Sequence, residues 1–524
     1  MACLARPRVS TPSAAAARPT TPVGTRATAQ QLKERGVPVE SPSERLRGEV
    51  FRRLDLVRRQ GLSREEATAT LFPKTVLPSE TYEDLTTALV AGSHVLFFGP
   101  SGAGKTNLAK EVWDLFPKDA WVVAGCPVLD HPLSIVDPKV AERFPPCPIC
   151  RRRFSPGNEV AAFDPVSADP AKVPAELVRL REGYGFARLQ GSSEVFPDHL
   201  TGNINLRRLE EIGDPMSPLV LEPGKLLQAN RGLLLVDEIG KLPLGTQNVL
   251  LQALQEGTVT PSKSRESFPG MFLAVGTSNL SDLDNINDPL SDRLTSLHVT
   301  YNPAHAANRR IVQLASFPEG ASYVPEILVD AGVRVIETWR QKASDDNPDI
   351  GEVGSNRTLI DVVARTAATA SLHDHPVAGV EDVQAGLLHA MRGRIRARSG
   401  DSFDQNERRV REFVGQHLEP ALKRSGGVYW CRFFRSALKE NQADGESVVS
   451  EGRRLKNDPA LIDTLAAPGT EFPKFRAFTA YVGERGRRPP GLRAVDAAVR
   501  TFELLERYSL FQCADEDADD DARL

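Results

Sequence analysis

Apolar and polar positions divide the chain into stretches of different period. Between residues 94 and 300, short unbroken apolar runs alternate with helical patterns; the runs are Val-Leu-Phe-Phe at 95–98, Leu-Leu-Leu-Val at 233–236 and Met-Phe-Leu-Ala-Val at 271–275. A strand covered on both faces reads as such a run, and its alternation with helices predicts a parallel sheet wrapped by helices. On either side the period is helical. Residues 44–72 set Leu46, Val50, Leu54 and Val57 on one face among arginines, with Pro73 and Pro78 as breakers, and 80–90 predict another helix. Residues 305–400 are helical throughout: Leu359, Val362, Val363 and Thr366 share one face, as do Val383, Leu387 and Leu388. A mostly helical stretch follows over 401–512, with breaks expected at Gly426-Gly427, Pro468-Gly469 and Pro489-Pro490.

This pattern gives an α/β core at 76–300, preceded by a helical segment at 44–75 and followed by a small helical domain at 301–400. A helical extension then occupies 401–514. Residues 1–43, rich in Pro, Ala and Thr, read as a disordered tail, and 515–524 as an acidic one. The basic stretch from Arg392 to Arg398 reads as a flexible boundary.

The length of 524 residues fits roughly three domains. At 40% hydrophobic and 26% charged, the composition is that of an ordinary globular chain. A net charge of −4 gives no bulk attraction for nucleic acid, and no basic-aromatic interleave supports a nucleic-acid partner. No apolar run approaches the ~18 residues of a membrane helix. The first acidic residue is Glu34, after Arg6, Arg8, Arg18 and Arg26. That bias suits an organellar transit peptide as well as a disordered tail; the expected compartment is the cytoplasm, with an organelle as the alternative.

The candidate chemistry begins where the first apolar run ends. Gly99, Pro100, Ser101, Gly102, Ala103, Gly104, Lys105 and Thr106 form a glycine-rich loop between a strand and a helix start. Such a loop turns backbone N–H groups toward a phosphate, and the helix N-terminus adds positive potential. Lys105 is placed for the β- and γ-phosphates and Thr106 for Mg²⁺. The second run ends in Asp237-Glu238, where a parallel sheet binds its ligands. Asp237 is placed to hold Mg²⁺ and Glu238 to polarise an attacking water; alone, the pair could equally cap the next helix. The third run leads to Gly276-Thr277-Ser278-Asn279, where Asn279 could orient that water or simply make a turn. Arg293, in Asp288-Pro289-Leu290-Ser291-Asp292-Arg293, would by itself read as a surface arginine. Ser355-Asn356-Arg357 would read as a helix cap.

The order of these motifs resembles the AAA+ ATPases, and within them the magnesium-chelatase ATPase subunit and the MoxR-type ATPases, over about residues 75–395. The nucleotide loop at 99–106 carries the likeness, as does Leu221-Glu222-Pro223-Gly224-Lys225 through Ala229-Asn230-Arg231-Gly232 into Val236-Asp237-Glu238. So do Leu200-Thr201-Gly202-Asn203-Ile204-Asn205-Leu206, the 276–279 segment, Pro289 to Arg293, and Ser355-Asn356-Arg357 with Val380-Glu381-Asp382-Val383. The resemblance implies a P-loop AAA+ core, a helical lid at 301–400, and ATP with Mg²⁺ as cofactors. It implies that Arg293 is an arginine finger for a neighbouring subunit's ATP, that Arg357 is a lid arginine on the γ-phosphate, and that the chain forms a homo-oligomeric, hexameric ring. A separate integrin-like-domain protein is the implied partner. The implied activity is that of an ATP-driven motor remodelling a partner protein; insertion of magnesium into a tetrapyrrole, or a low-turnover ATP switch or scaffold, are the alternatives. Leu294 stands where the family usually has Phe, the hairpin insert at about 258–270 is short, and 401–524 has no counterpart in the ATPase subunit.

Cys147-Pro148-Ile149-Cys150 is half of a tetrahedral zinc site by spacing. Upstream, Gly125-Cys126-Pro127-Val128-Leu129-Asp130-His131-Pro132 resembles a Gly-Cys-Pro-x-x-Cys-Asp-Pro stretch of some chelatase-like ATPases, with Asp130 in place of its second cysteine. Cys126, His131, Cys147 and Cys150 would make a closed, structural Cys₃His set for Zn²⁺; unligated thiols in a loop are the alternative.

Overall fold

Six strands make the central sheet: β1 (His94–Gly99), β2 (Arg181–Glu182), β3 (Gly185–Gln190), β4 (Leu233–Asp237), β5 (Leu273–Asn279) and β6 (Leu294–His298). They lie in the order β6-β1-β5-β4-β3-β2, every pair parallel. The computed structural model describes residues 21–215, 217–261, 264–315, 321–344, 354–392, 402–439, 445–458, 461–462, 472–484 and 491–511. The chain divides into two compact units, Met1–Thr300 and Tyr301–Leu524.

Every residue of β4 is buried, as its unbroken apolar run requires. Leu96, Ala187, Leu234, Val236 and Ala274 meet in the core of the first unit. The third apolar run enters its strand at Leu273, two residues later than the sequence suggests, because Met271 O accepts the N–H of Arg231 from outside the sheet. Strands β3 and β6 escape the apolar-run criterion. The first carries Arg188 and Gln190; the second is an edge strand that exposes Thr295 and Ser296.

A smaller antiparallel sheet joins Asp119–Val123, Pro174–Arg179 and Arg26–Thr28. The last of these corrects the expected disordered tail at 1–43. Arg26–Thr28 takes the free edge of strand 174–179, and the helix Ala29–Glu34 follows, capped by Thr28. Ala27, Ala29 and Leu32 are buried in the core, which supplies the apolar burial that ordering a tail demands. Residues 1–20 lie outside the described residues. The helix expected over 44–72 is two helices, Pro42–Arg58 and Arg64–Thr70. The chain turns through Gly61 at φ +78°, and Ser63 caps the second helix. Leu46, Val50 and Leu54 are buried on the expected face.

In the second unit the helices His305–Leu314, Glu326–Ser344, Asn356–Leu372 and Val380–Met391 share a core of Leu328, Val335, Leu359, Leu387 and Val414. A second core is aromatic, built on Trp430, Phe433, Phe475, Phe478 and Phe502. The break expected at Gly426-Gly427 is absent: one helix, Phe403–Lys439, runs through it. A Cβ at Gly426 would lie 2.1 Å from Leu510 Cδ1, so the glycine admits close packing and ends nothing. The breaks expected at Pro468-Gly469 and Pro489-Pro490, the stretch 393–398 and the acidic tail lie outside the described residues. No described helix is long and apolar enough to cross a membrane.

His94 opens β1, and its Nδ1 accepts the N–H of Ala274 at 3.0 Å. Burial pushes its pKa down to about 4. A proton therefore binds the unfolded chain in preference between about pH 6.5 and 4, and the stability that the neutral ring contributes is lost as pH falls through that window. His94→Asn keeps an acceptor and has no proton to gain. The stability advantage of wild type over this variant, read from thermal unfolding at pH 7.5, should shrink by about 2 kcal/mol at pH 5. A gap that does not change with pH would refute this.

Candidate active site

Parallel pairing brings three strand ends together. Gly99 of β1 stands opposite Asn279 of β5, Gly276 of β5 opposite Val236 of β4, and Asp237 of β4 opposite Gln190 of β3. The crevice at the carboxyl ends of adjacent parallel strands is where such a sheet accepts a ligand.

The loop 100–104 leaves β1 and enters the helix Lys105–Leu115. Gly99 has φ +150°, and a Cβ there would sit 2.1 Å from Val299 O. Gly104 caps the helix at φ +108°. Neither position accepts another residue without moving backbone. Lys105 is 7% exposed; its Nζ donates to Gly99 O at 2.8 Å, Pro100 O at 2.7 Å and Asn279 Oδ1 at 3.1 Å. The ammonium is thus held over the loop by carbonyl and amide oxygens.

Thr106 Oγ1 donates to Asp237 Oδ1 at 2.9 Å, joining the loop to the end of β4. Thr277 Oγ1 donates to the same oxygen at 2.6 Å, and Arg188 Nη2 reaches Oδ2 at 3.0 Å. Burial alone would raise the Asp237 carboxyl. The hydrogen bonds from Thr277, Thr106 and Arg188, with the charge of Arg188, outweigh it and hold the group below its ordinary value. Asp237 is therefore ionised at neutral pH, the state a cation ligand needs. With the Thr106 hydroxyl beside it, it offers hard oxygen donors of the kind Mg²⁺ takes.

Glu238 adopts the left-handed region, φ +56° and ψ +51°, directly after the strand. Its N–H donates to Thr277 Oγ1 at 3.0 Å, and its Oε2 is held by Gln190 Nε2 at 2.9 Å and Lys241 Nζ at 3.0 Å. A non-glycine residue in this conformation costs of order 1 kcal/mol, retained where the surroundings over-determine it.

Of the residues singled out from the sequence, Lys105 bonds Asn279 and the adjacent Thr106 bonds Asp237, so the two hydrogen-bonded sets lie side by side at the start of one helix, with Glu238 at the edge of the second. Arg293 is exposed in the turn between Asp288–Ser291 and β6, and takes no part in either set. Arg357 is exposed in the second unit, at the start of the helix Asn356–Leu372, whose cap is Ser355: Thr358 N donates to Ser355 Oγ at 3.3 Å. Arg188, Gln190 and Thr277 are participants that spacing did not reveal. The signal for Arg188 and Gln190 is the alternation of β3, which sends both to the same side; Thr277 stands in β5, two residues before Asn279.

The cysteine candidates require a correction. Cys126, Cys147 and Cys150 do converge, but with Asp130 and not His131. His131 Nδ1 instead accepts the N–H of Leu133 at 3.1 Å, capping the short 3₁₀ helix Pro132–Ile135. Leu129, at φ +66°, reverses the chain so that Asp130 faces the thiols.

Comparison with known proteins agrees with this architecture. Residues 91–314 match the PrkA AAA domain family. The chain is 25% identical over 340 residues to the chloroplastic magnesium-chelatase subunit ChlI of Oryza sativa subsp. indica, covering 61% of this chain and 74% of the rice protein. It is 23% identical over 375 residues to ChlI of Nephroselmis olivacea, covering 66% and 95%. Among solved structures, the chain matches a model of the BchI–BchD complex of magnesium chelatase (20% identity, 61% and 93% covered, TM-score 0.30). A putative ATPase from Cytophaga hutchinsonii is another (15% identity, 74% and 98% covered, TM-score 0.28). The glycine loop, the acidic strand end, the matched AAA domain and the chelatase relatives converge on one assignment: the chain is an ATPase with an AAA domain at residues 91–314, and it is similar to magnesium-chelatase subunits.

Proposed function

We propose that this chain is the motor subunit of a homo-oligomeric, hexameric ring that hydrolyses ATP to remodel a partner protein. The observation that carries the reading is the hydrogen bond from Thr106 to Asp237, which joins the phosphate loop to the acidic strand end in one ionised cluster.

In this reading the loop 99–104 wraps the phosphates with backbone N–H groups, and Lys105 exchanges its carbonyl partners for β- and γ-phosphate oxygens. Thr106 and Asp237 hold Mg²⁺, which neutralises charge on the triphosphate. Glu238 orients and deprotonates the attacking water, and Asn279, beside Lys105, helps hold that water between Glu238 and the γ-phosphate. Gln190 and Lys241 fix the Glu238 carboxylate until then. Arg293, exposed and outside the cluster, serves a neighbouring subunit's nucleotide, and Arg357 couples the lid to the γ-phosphate. The set of a metal-holding acid, a base and an exposed finger favours turnover over a low-turnover switch.

A separate integrin-like-domain protein is the partner we infer, and the cytoplasm or an organelle the compartment. A second reading has support of its own, since the relatives at 23% and 25% identity are magnesium-chelatase subunits: the chain is the ATPase subunit of a metal chelatase that inserts magnesium into a tetrapyrrole. The cysteine pocket takes no part in the hydrolysis and belongs to the scaffold.

Calorimetry with MgATP tests the site directly. Lys105→Ala should weaken binding by about 10²-fold, the loss of a charge-assisted contact. Glu238→Gln should bind within a few-fold of wild type and hydrolyse about 10²–10⁴-fold more slowly. Equal hydrolysis by wild type and Glu238→Gln would remove the base from the scheme, and no heat from MgATP with folded wild type would remove the scheme itself.

Arg293→Ala should lower turnover by on the order of 10³-fold while leaving nucleotide binding intact. Mixing it with inactive Lys105→Ala chains should restore part of the activity, because some interfaces then pair an intact loop with an intact finger. Two inactive variants that stay inactive when mixed, although they co-assemble, would rule out action between subunits.

A further inference from the structure

Away from the nucleotide cluster, Cys126, Asp130, Cys147 and Cys150 are all buried, and one ligand atom from each lies within 4.8 Å of all the others. The Cys126 and Cys147 sulfurs are 3.9 Å apart. That is far from a disulfide bond of about 2.05 Å. It matches the edge, about 3.8 Å, of a tetrahedron built on zinc–sulfur bonds of about 2.3 Å.

The backbone around the cluster is already arranged as in a thiolate knuckle. Cys126 Sγ accepts the N–H of Asp130 at 3.4 Å, and Cys147 Sγ accepts that of Cys150 at 3.4 Å. Asp130 Oδ2 accepts the N–H of Cys147 at 2.8 Å, which orients the carboxylate. Its other oxygen, Oδ1, is buried with no hydrogen-bond partner. An orphaned oxygen of this kind is costly in a protein interior unless something else satisfies it. A divalent cation would.

We propose that Cys126, Asp130, Cys147 and Cys150 hold one structural zinc ion. Three soft sulfurs and one oxygen make a closed four-coordinate set, which suits Zn²⁺ and leaves no open position for chemistry. The ion would staple the loop 126–130 to the N-terminal turn of the helix Pro148–Phe154, which Cys147 caps. That loop is pinned in turn to the segment before β4: Asn230 Nδ2 donates to Val128 O, and Arg231 Nη1 to Leu129 O at 3.2 Å. Zinc thereby stiffens the base of the strand that ends in Asp237. The proposal stands independently of the nucleotide chemistry.

Elemental analysis of the full-length protein, purified without chelator, tests it. We expect about one zinc per chain, released to a chromogenic chelator when an organomercurial blocks the thiols. Cys147→Ser and Cys150→Ser should fall below about 0.2 zinc per chain, while His131→Ala should stay near one. If the serine variants do not fold, cobalt substitution of wild type replaces them: intense visible bands of a tetrahedral thiolate site are expected. Wild type with less than about 0.2 zinc per chain and no such cobalt bands would overturn the proposal. So would iron in place of zinc, a disulfide among the three cysteines, or loss of zinc in His131→Ala.

Discussion

Parallel register is the constraint on which the site depends. Once β1 and β5 pair so that Gly99 stands level with Asn279, the residue that follows the phosphate loop must meet an amide. Once β5 and β4 pair with Gly276 level with Val236, Thr277 must meet Asp237. A slip of one residue would turn each of these side chains to the other face of the sheet. The register is held by the burial of β4 on both faces and by backbone closeness that excludes side chains: a Cβ at Gly232 would lie 1.7 Å from Gly185 O, and one at Gly191 2.1 Å from Glu238 O. Packing far from the phosphate loop thus sets the distances within it.

The run Ala229-Asn230-Arg231-Gly232 does the corresponding work at the other end of β4. Asn230 uses both ends of its amide, donating to Val128 O and accepting from Met271 N at 2.9 Å. Arg231, in the left-handed region at φ +62°, donates to Trp121 O and Leu129 O, and its own carbonyl accepts from Arg45 Nη1 at 3.0 Å. Arg45 also reaches Pro117 O and Asp119 O. Burial lowers both guanidinium groups, Arg231 to about 9 and Arg45 to about 10, yet each stays charged at neutral pH and is satisfied by carbonyls. Two arginines therefore tie the helix Pro42–Arg58, both sheets and the cysteine loop to one turn.

What was legible in the sequence is what is local. The glycine loop, the apolar run of β4 and the acids that end it are each defined within eight residues, and the structure assembles Lys105, Thr106, Asp237 and Asn279 as that order implies. What was not legible depends on distant partners. Arg188 belongs to the site only because β3 lies beside β4, and nothing within β3 announces that pairing. Asp130 replaces His131 at the cysteines because Leu129 takes a left-handed conformation that Asn230 and Arg231 hold in place from 100 residues away in sequence. Gly426-Gly427 has the composition of a break, but Leu510 packs against it and the helix continues. The N-terminal residues 26–34 look like tail until a sheet edge is available to receive them.

The second unit owes its rigidity to a different kind of interior. His305 sits between two carboxylates, Nε2 at 2.7 Å from Asp330 and Nδ1 at 2.8 Å from Glu337. Arg334 pairs with Asp330 at 2.9 Å, and Arg309 joins Asp330 to Glu326. Burial opposes charge on Asp330, but His305, Arg309 and Arg334 hold it well below the usual carboxylate range. Removing one member of such a buried set strands the others, at a cost of about 3–5 kcal/mol. The helices His305–Leu314 and Glu326–Ser344 are thereby locked into one body. Arg340, from the second of these helices, then donates to Gly354 O at 2.6 Å and to Asn356 Oδ1 at 2.9 Å. It fixes the start of the helix Asn356–Leu372, where the exposed Arg357 is carried. The ionic interior and the Arg340 clamp together hold the backbone that carries it.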